Sequence, residues 1–411
     1  MDAVVFFREW QDRVPGESRS LARARDLAAE LGLLDVGLPL VIVVGSKGKG
    51  TCATYASATL TAAGLRVCTV TSPGLRGDRD RIRLNGRSVS ESELASLAER
   101  LDKAIALLPP RSDGYLAPTG LFTLAGVLHA RTEGADALVL EAGMGGRGDE
   151  VSLFSPTTVA ITPIFGEHLG KLGDTPAEIA AEKSGVIKPA TRAVVSAAQT
   201  PDVAAALDRA YAEVNAHAGT DAYTGIDAYT GIVYAPSTGL SADLLPAGLG
   251  RANAEVGCAA ALALLGGRPA ALEAVLRTVR LPGRLSWHRI PGAQVLADCA
   301  INRAGVAVAL ETARERWGGI DHAFVCLPDH KDLDGAIAEL GDLPVTFVRL
   351  PFERLSFEHP LPSAWKVLDS ADLTPELMAD QGRHVVALGT VYFISAVLNA
   401  INADTERLFV P

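Results

Sequence analysis

One stretch near the N-terminus, VIVVGSKGKGTCATYASATLTAAG (residues 41–64), constrains the fold more than any other. An apolar run typical of a buried strand leads through a glycine-rich loop into an alanine-rich helix that ends near Gly64. The loop is similar to the phosphate-binding pattern G-x-x-x-x-G-K-[ST], but only two residues separate its first two glycines. Amides of such a loop, with the N-terminus of the next helix, bind anionic oxygens. The stretch therefore predicts a nucleotide-binding α/β domain.

The loop also supplies side chains that suit a nucleotide and its metal ion. Lys49 is placed to reach the β- and γ-phosphates, and Thr51 offers a hydroxyl to Mg²⁺. A plain glycine turn is the alternative, which the order of glycines, lysine and threonine after an apolar strand disfavours. The predicted nucleotide-binding residues of the loop are Gly45, Ser46, Lys47, Gly48, Lys49, Gly50 and Thr51.

Short apolar runs alternate with helical patterns along the chain. The first series of predicted strands comprises residues 40–44, 66–71, 137–140, 158–162 and 193–196, with helices such as 91–107 and 121–131 between them. A second series comprises residues 293–297, 323–327, 345–350 and 385–388. Solidly apolar runs are typical of parallel strands that are buried on both faces, so the pattern predicts α/β architecture.

The two series of strands predict two domains. We expect an N-terminal P-loop ATPase domain with a mostly parallel sheet over residues 1–283 and a smaller Rossmann-like α/β domain over 293–411. Proline and glycine cluster in the predicted linker, 284–292, and just before it. The tandem repeat DAYTGIDAYTGI (221–232) is interpreted as a duplicated hairpin or surface-loop insertion, because two copies do not make a solenoid.

Composition excludes some partners and indicates a compartment. A net charge of −10 argues against bulk binding to nucleic acid or to an anionic membrane. The N-terminus lacks the pattern of a signal peptide, and the apolar runs are too short to cross a bilayer. The five cysteines are scattered, which indicates reduced thiols in the cytoplasm rather than a disulfide framework or a cysteine zinc site.

Two further motifs offer polar groups. In ALVLEAGMGGRGDE, Glu141 ends an apolar strand, where it either binds Mg²⁺ or is a solvated strand-end carboxylate. In ITPIFGEHLGKLGDTPAEIAAEKSGVIKP, Thr175 and Glu178 predict a capping box at the start of a helix. Lys183 lies late in that helix and His168 in the loop before it. Taken alone, a lysine at the end of a helix complements the helix dipole, and a histidine in such a loop is a polar surface residue.

Together these motifs resemble the Mur ligase superfamily, most closely its folylpolyglutamate synthase/dihydrofolate synthase branch. GSKGKGT is similar to that branch's GTNGKGS, TSPGLRGDRDRIRLNG to TSPHL…ERI…NG, and EAGMGGRGD to E-x-G-x-GGR-x-D. The 161–189 segment is similar to ITNIGLDH…LGDT…EIA-x-EK-x-GIIKP. In the second domain, PGR (282–284), DCAIN (298–302), the Lys331–Asp332 pair and GTVY (389–392) match PGR, DGAHN, DKD and GSLY.

The resemblance implies an ATP-dependent amide ligase that acts through an acyl phosphate and releases ADP and phosphate. Its substrates would be a small-molecule carboxylate and an amino-acid-like amine, and the protein would be a monomer or small homo-oligomer. Lys49 and the loop amides would hold the phosphates, and Arg284 and Asp298 would bind the nucleotide from the second domain. Two Mg²⁺ ions are implied, one on Thr51 and Glu141 and one on His168. Lys183 would be carbamoylated, so the implied catalytic residues are Lys49, Lys183 and His168.

Several positions depart from the family pattern, mainly where substrate and γ-phosphate are handled. The altered residues are Lys47 for Asn, Gly74 for His, Pro163 for Asn, Glu167 for Asp, Cys299 for Gly, Ile301 for His and Arg303 for Pro, with Asn253 a remnant of HQ-x-x-N. Isoleucine cannot donate a hydrogen bond or carry charge. We therefore hypothesise that Lys47 or Arg303 takes the role of the missing histidine.

Two other function classes stay open. One is a nucleotide-binding regulatory protein that has lost catalysis, which Ile301 favours. Its weakness is that a site without chemistry has no need of Lys49, Thr51, Glu141, His168 and Lys183 together. The other is a simple phosphotransferase, kinase or NTPase, which the second α/β domain disfavours.

Overall fold

The computed structural model describes residues 3–112, 114–217, 231–353 and 355–411. All but the last two residues of the tandem repeat lie outside these ranges, so its interpretation stays a prediction. The described residues form two mixed, mostly parallel sheets of eight and six strands, each flanked by helices. The predicted α/β fold class is confirmed.

The first sheet has the strand order β4-β3-β2-β5-β1-β6-β7-β8. Six neighbouring strands of this sheet run parallel, in the order β2, β5, β1, β6, β7 and β8. Strands β3 and β4 form an antiparallel hairpin at the edge beside β2. The bounds are β1 Leu40–Val44, β2 Val67–Val70, β3 Ile82–Leu84, β4 Arg87–Ser88, β5 Ala137–Glu141, β6 Thr158–Ile161, β7 Ala193–Ser196 and β8 Ile232–Tyr234.

The apolar sequence of β1 explains its central place. Leu40, Ile42 and Val44 point into one hydrophobic core, whereas Val41 and Val43 point into another. Successive side chains of a strand alternate between the two faces of the sheet, so a strand covered on both faces must be apolar throughout. Such a strand holds the loop that follows it in a rigid position.

Nine helices among the described residues of this half surround the sheet. They are α1 Arg8–Gln11, α2 Leu21–Glu30, α3 Lys49–Ala62, α4 Glu91–Ile105, α5 Pro118–Thr132, α6 Pro176–Lys183, α7 Pro201–His217, α8 Gly250–Leu265 and α9 Leu272–Leu276. The predicted capping box at α6 forms only in part. Thr175 Oγ1 accepts a hydrogen bond from the amide of Glu178 at 3.2 Å, but the Glu178 carboxylate binds the amide of Asp174 at 2.6 Å.

The second sheet has the order β13-β12-β11-β14-β10-β9, parallel except for β9. Its strands are β9 Ser286–Ile290, β10 Ala293–Asp298, β11 His322–Cys326, β12 Val345–Arg349, β13 Lys366–Asp369 and β14 His384–Gly389. Its helices are α10 Arg303–Trp317, α11 Leu333–Leu340, α12 Pro375–Asp380 and α13 Val391–Ala400. Separate hydrophobic cores lie on its two faces.

Two segments join the halves more closely than the sequence predicts. The segment predicted as a linker contains β9, which pairs antiparallel with β10 and so belongs to the second sheet. The C-terminal residues return to the first half, where the amide of Leu408 donates to Gly86 O at 2.9 Å and Phe409 packs beside Tyr55. The domain limits 1–283 and 293–411 stay our proposed division. Among the described residues, no helix has the length and apolarity that crossing a membrane requires.

Candidate active site

The glycine loop joins β1 to α3 and leaves the N-terminus of α3 open. Gly45 and Gly48 have φ angles of 138° and 87°, in the region that favours glycine. A Cβ on Gly48 would lie 2.1 Å from Nδ2 of Asn253, and a Cβ on Gly45 would lie 2.0 Å from Oγ1 of Thr162. No side chain caps the first turn of α3, so its amides are available to an anion. The loop therefore fits a phosphate group.

Two lysine side chains converge on the carbonyl oxygen of Gly45. Lys49 Nζ donates to it at 3.2 Å, and Lys183 Nζ donates to it at 2.9 Å. Lys183 ends α6, is 1% exposed and pairs with Glu167 Oε1 at 3.0 Å. Burial lowers the pKa of Lys183, the charge of Lys49 lowers it further, and Glu167 opposes the shift. Lys183 is thus part of the loop's surroundings rather than only a partner of the helix dipole.

Glu141 ends β5, the strand beside β1, and its carboxylate is buried against the loop. A Cβ on Gly50 would lie 3.5 Å from Glu141 Oε2, which also accepts a hydrogen bond from the amide of Ser72 at 3.0 Å. Burial raises the pKa of Glu141, and the charge of Lys49 opposes that shift. Thr51 lies buried on the first turn of α3. A buried carboxylate and a hydroxyl beside a phosphate loop are ligands that suit Mg²⁺.

His168 lies in the loop between β6 and α6, with a left-handed φ of 50° and an exposed side chain. Its backbone carbonyl accepts hydrogen bonds from the amides of Lys171 and Leu172 at 3.0 and 3.1 Å. Within the described part of the chain, its imidazole makes no hydrogen bond. The structure therefore places this predicted ligand at the rim of the site, next in sequence to Glu167.

A cleft of about 1440 Å³ opens beside the loop, between the two sheets. Lys47 contributes to one wall, and Arg284 and Asp298 contribute to the other. Asp298 Oδ2 accepts a hydrogen bond from the amide of Leu285 at 2.7 Å. Burial lowers the pKa of Lys47, the charge of Arg284 lowers it further, and Asp298 opposes the shift. Residues predicted from both domains thus meet at one cleft, and their binding role stays a prediction.

The residues hypothesised to replace the family's histidine differ in position. Ile301 follows β10, and its side chain packs against the second domain's core. Arg303 opens α10 and pairs with Glu339 at 2.7 Å. Because Arg303 is bound there, Lys47 is the better placed of the two cations.

Lys331 and Asp332, the pair matched to the family's DKD element, have different surroundings in the structure. Asp332 caps α11 through the amide of Gly335 at 3.0 Å and also accepts a hydrogen bond from the amide of Arg303 at 2.8 Å. Lys331 is close enough to Lys47 for its charge to contribute to the lowered pKa of that lysine. Lys331 therefore adds positive charge near Lys47, while Asp332 holds the backbone.

The loop after β2 contains the altered residue Gly74 together with Ser72 and Arg81, for which no role was predicted. Gly74 has no room for a side chain, because a Cβ there would lie 2.1 Å from the carbonyl oxygen of Gly77. Arg81 donates to Ser72 Oγ at 3.2 Å, and the Ser72 amide binds Glu141. The loop therefore touches the predicted metal ligand. Its only sequence signal was the TSP…DRI resemblance.

Arg76 ties the same loop to the second domain. Its guanidinium donates to Asn399 Oδ1 and Asn402 Oδ1, each at 3.0 Å, and to the carbonyl oxygen of Ala403. Asn399 Nδ2 donates back to the carbonyl oxygen of Arg76 at 3.2 Å. These partners lie at the end of α13 and just after it, so the loop beside Glu141 and the C-terminal domain are bonded to each other.

Comparison with known proteins identifies relatives of the chain. No family model matches it. Over 174 residues, 42% of the chain, it is 32% identical to a dihydrofolate synthase/folylpolyglutamate synthase of Bacillus subtilis, covering 40% of that protein. Over 202 residues, 47% of the chain, it is 31% identical to the Mycobacterium tuberculosis protein of the same name, covering 40% of it. The matched segment thus spans about two fifths of these relatives.

Solved structures match over almost the entire chain. A folylpolyglutamate synthase of Mycobacterium tuberculosis, solved with ADP and AMPPCP, superposes with a TM-score of 0.79 at 22% identity, covering 98% of this chain and 100% of that one. A bifunctional folylpolyglutamate synthase/dihydrofolate synthase of Yersinia pestis, solved with AMPPNP and manganese, superposes with a TM-score of 0.76 at 22% identity, covering 98% of each chain. The chain is therefore similar in sequence to folylpolyglutamate and dihydrofolate synthases over about two fifths of their length, and it has the fold of the solved folylpolyglutamate synthase structures.

Proposed function

We propose that the protein is an ATP-dependent carboxylate–amine ligase. The observation that carries the proposal is the convergence of Lys49 and Lys183 on the carbonyl oxygen of Gly45, with the buried Glu141 beside Gly50. Of the two lysines, Lys49 is the proposed source of positive charge beside the open helix N-terminus, where it stabilises a transferring phosphoryl group. The named activity of the relatives supports the same reaction class.

The proposed nucleotide site uses residues of both domains. Amides of the loop and the ammonium group of Lys49 hold the phosphates, and Arg284 and Asp298 approach from the other wall of the cleft. Thr51 and Glu141 would hold one Mg²⁺, and His168 a second. Bound Mg²⁺ supplies positive charge that offsets the negative charge of the phosphate oxygens. Manganese and an ATP analogue in the Yersinia pestis structure support a divalent metal at this kind of site.

The proposed reaction has two balanced steps. A substrate carboxylate oxygen attacks the γ-phosphorus of ATP, the bond to the β-phosphate oxygen breaks, and ADP leaves. The nitrogen of an amino-acid-like amine then attacks the acyl carbon of the acyl phosphate, the carbon–oxygen bond to phosphate breaks, and the amine gives its proton to solvent. Lys49 stabilises the negative charge of the phosphoryl oxygens in the first step.

Lys183 is the proposed carbamoylation site. Its ammonium group would first lose a proton; the neutral amine nitrogen would then attack carbon dioxide, form a nitrogen–carbon bond and lose a second proton, so that a cation becomes an anion. Burial lowers the pKa of Lys183 and so raises its neutral, nucleophilic fraction. Incubation with ¹³C-bicarbonate should give one carbamate ¹³C NMR signal that a Lys183→Met variant lacks. A wild-type spectrum without that signal would restrict Lys183 to its ammonium role.

The substrate side is proposed in general terms. Lys47, Lys331 and Arg284 give the cleft positive charge suited to a carboxylate-bearing substrate. Folate itself is left open because Gly74 and Ile301 replace histidines that the family pattern places where substrate and γ-phosphate are handled. We keep a small-molecule carboxylate, an amino-acid-like amine and a cytoplasmic monomer or small homo-oligomer as the working description.

A phosphate-release screen of carboxylates against amino acids tests the function. A ligase releases ADP and phosphate only when both substrates are present, and Lys49→Ala should abolish the release. A phosphotransferase would instead leave the phosphate on the product and need no amine. Tight ATP binding without turnover across the screen would favour the nucleotide-binding regulatory role that Ile301 suggests.

A further inference from the structure

A cluster of possible metal ligands lies away from the nucleotide cleft. Glu93 belongs to the first turn of α4, and His129 and Glu133 belong to the last turn and C-cap of α5. One ligand atom of each residue lies within 4.8 Å of the other two. Residues four positions apart share one face of a helix, so α5 presents His129 and Glu133 together to α4.

His129 gives the cluster a feature that a group of surface carboxylates lacks. The residue is 3% exposed, yet its imidazole has no hydrogen-bond partner among the described residues. Its ring faces two carboxylates, whose oxygens and an imidazole nitrogen suit the same cation. Glu93 Oε2 binds the amide of Ser90 at 2.6 Å, which holds the carboxylate in place and leaves its other oxygen for a ligand.

The surrounding charges suit a bound cation. The C-terminal end of α5 carries the negative end of the helix dipole, which stabilises positive charge near Glu133. Two nearby arginines could compete with a metal ion for these carboxylates, but one pairs weakly with the cluster and the other pairs with a residue outside it. Arg66 approaches Glu133 at 3.5 Å with both side chains partly exposed, and Arg87 pairs with Glu406 at 2.9 Å.

We propose that Glu93, His129 and Glu133 form a zinc site that joins α4 to α5, apart from the residues that line the nucleotide cleft. One imidazole nitrogen and two carboxylate oxygens are ligands that Zn²⁺ accepts, with water completing the tetrahedron. Ligand atoms in such a site lie about 3.4 Å apart, so small rotations of the two glutamates close the cluster around the ion. The site acts as a structural link that is independent of the ligase reaction.

Zinc titration of the metal-stripped full-length protein tests the proposal. The titration is done by calorimetry in saturating Mg²⁺ without nucleotide. The wild type should bind one Zn²⁺ per chain, and Zn²⁺ should raise its Tm. His129→Gln and Glu133→Gln should each weaken binding at least tenfold and remove the rise in Tm. Glu93→Gln, which keeps the helix cap, should weaken it similarly.

A matched control uses the same helix. Glu99→Gln on α4 removes an exposed carboxylate that pairs with Lys103 rather than with the cluster, and it should bind Zn²⁺ as the wild type does. Glu133→Gln changes a partly exposed side chain and keeps the test valid if His129→Gln does not fold. Equal Zn²⁺ binding by the wild type and all three cluster variants, or no binding by the wild type, would overturn the site.

Discussion

The two walls of the cleft both follow parallel strands, yet they hold their polar groups differently. On the N-terminal wall, Lys49 and Lys183 share one carbonyl oxygen and Glu141 is buried beside them. On the C-terminal wall, Asp298 binds the backbone of its own domain and Ile301 packs into a core. The proposed phosphate-binding groups therefore lie together in the N-terminal domain, whereas Arg284 and Asp298 line the opposite wall of the cleft.

Replacing Lys49 and replacing Lys47, two lysines of the glycine loop, should give the largest difference in ATP turnover. Lys49→Ala should lower ATP turnover on the order of 10³-fold, because this ammonium group lies against the phosphate loop. Lys47→Ala should lower it about tenfold, because Lys47 faces the C-terminal wall across open cleft. Steady-state phosphate release measures both. Unchanged ATP affinity and turnover in Lys47→Ala would refute its proposed replacement of the family histidine.

A second comparison of turnover uses Lys183, which lies outside the glycine loop but contacts it. Lys183→Met should lower turnover about 10²-fold, because it removes a buried charged group beside Gly45 and leaves Glu167 without its partner. Lys188→Met is the control, since Lys188 is partly buried and its ammonium group donates to the carbonyl oxygen of Gly185 and, among the described residues, to no other group. Equal kinetics for the two variants would remove Lys183 from the phosphate machinery.

Arg76 connects the two walls, so its loss should act on both. Arg76→Ala should raise the KM for the carboxylate about tenfold with a smaller change in kcat, because the loop beside Glu141 loses its bonds to the second domain. Arg79→Ala is the matched control in the same loop, because within the described ranges the Arg79 side chain makes just a 3.7 Å pair with the exposed Glu91. A larger effect on kcat than on KM would contradict a positioning role.

The two domains should respond oppositely to pH. Burial and the neighbouring Asp149 raise the pKa of Glu150 to about 7, which Arg19 partly opposes. The folded first domain therefore binds this proton more tightly and loses stability as pH rises from about 4.5 to 7. Burial and the charge of Lys366 lower the pKa of His322, in the second domain, to about 4. That domain loses stability as pH falls from about 6.5 towards 4.

Thermal unfolding across this range checks both signs. Relative to wild type, Glu150→Gln should gain on the order of 1–3 kcal/mol as pH rises, and His322→Gln should gain a similar amount as pH falls. Parallel stability curves for wild type and both variants would contradict the two shifts.

The strands were predictable where burial on both faces imposes an apolar run, as in β1 and β7. β9 was missed because Ser286–Ile290 is a half-exposed edge strand with polar residues in a stretch rich in proline and glycine. The β3–β4 hairpin was also missed, although Asn85 and Gly86 both adopt the left-handed φ that an Asn–Gly turn favours.

The site was predictable as a set of motifs but not as a geometry. Sequence places Lys183 at the end of a helix, and only the packing of α6 against the loop brings its amine to Gly45. The bonds of Arg76 to α13 join residues more than 300 positions apart, which no local pattern encodes.

The fate of the carboxylate oxygen tests the central claim most directly. The carboxylate that supports phosphate release should be labelled with ¹⁸O and turned over with ATP and the amine, and the phosphorus products analysed by NMR and mass spectrometry. We predict ADP and phosphate that carries one ¹⁸O atom from the carboxylate. Unlabelled phosphate, or AMP with pyrophosphate, would contradict the acyl-phosphate ligase.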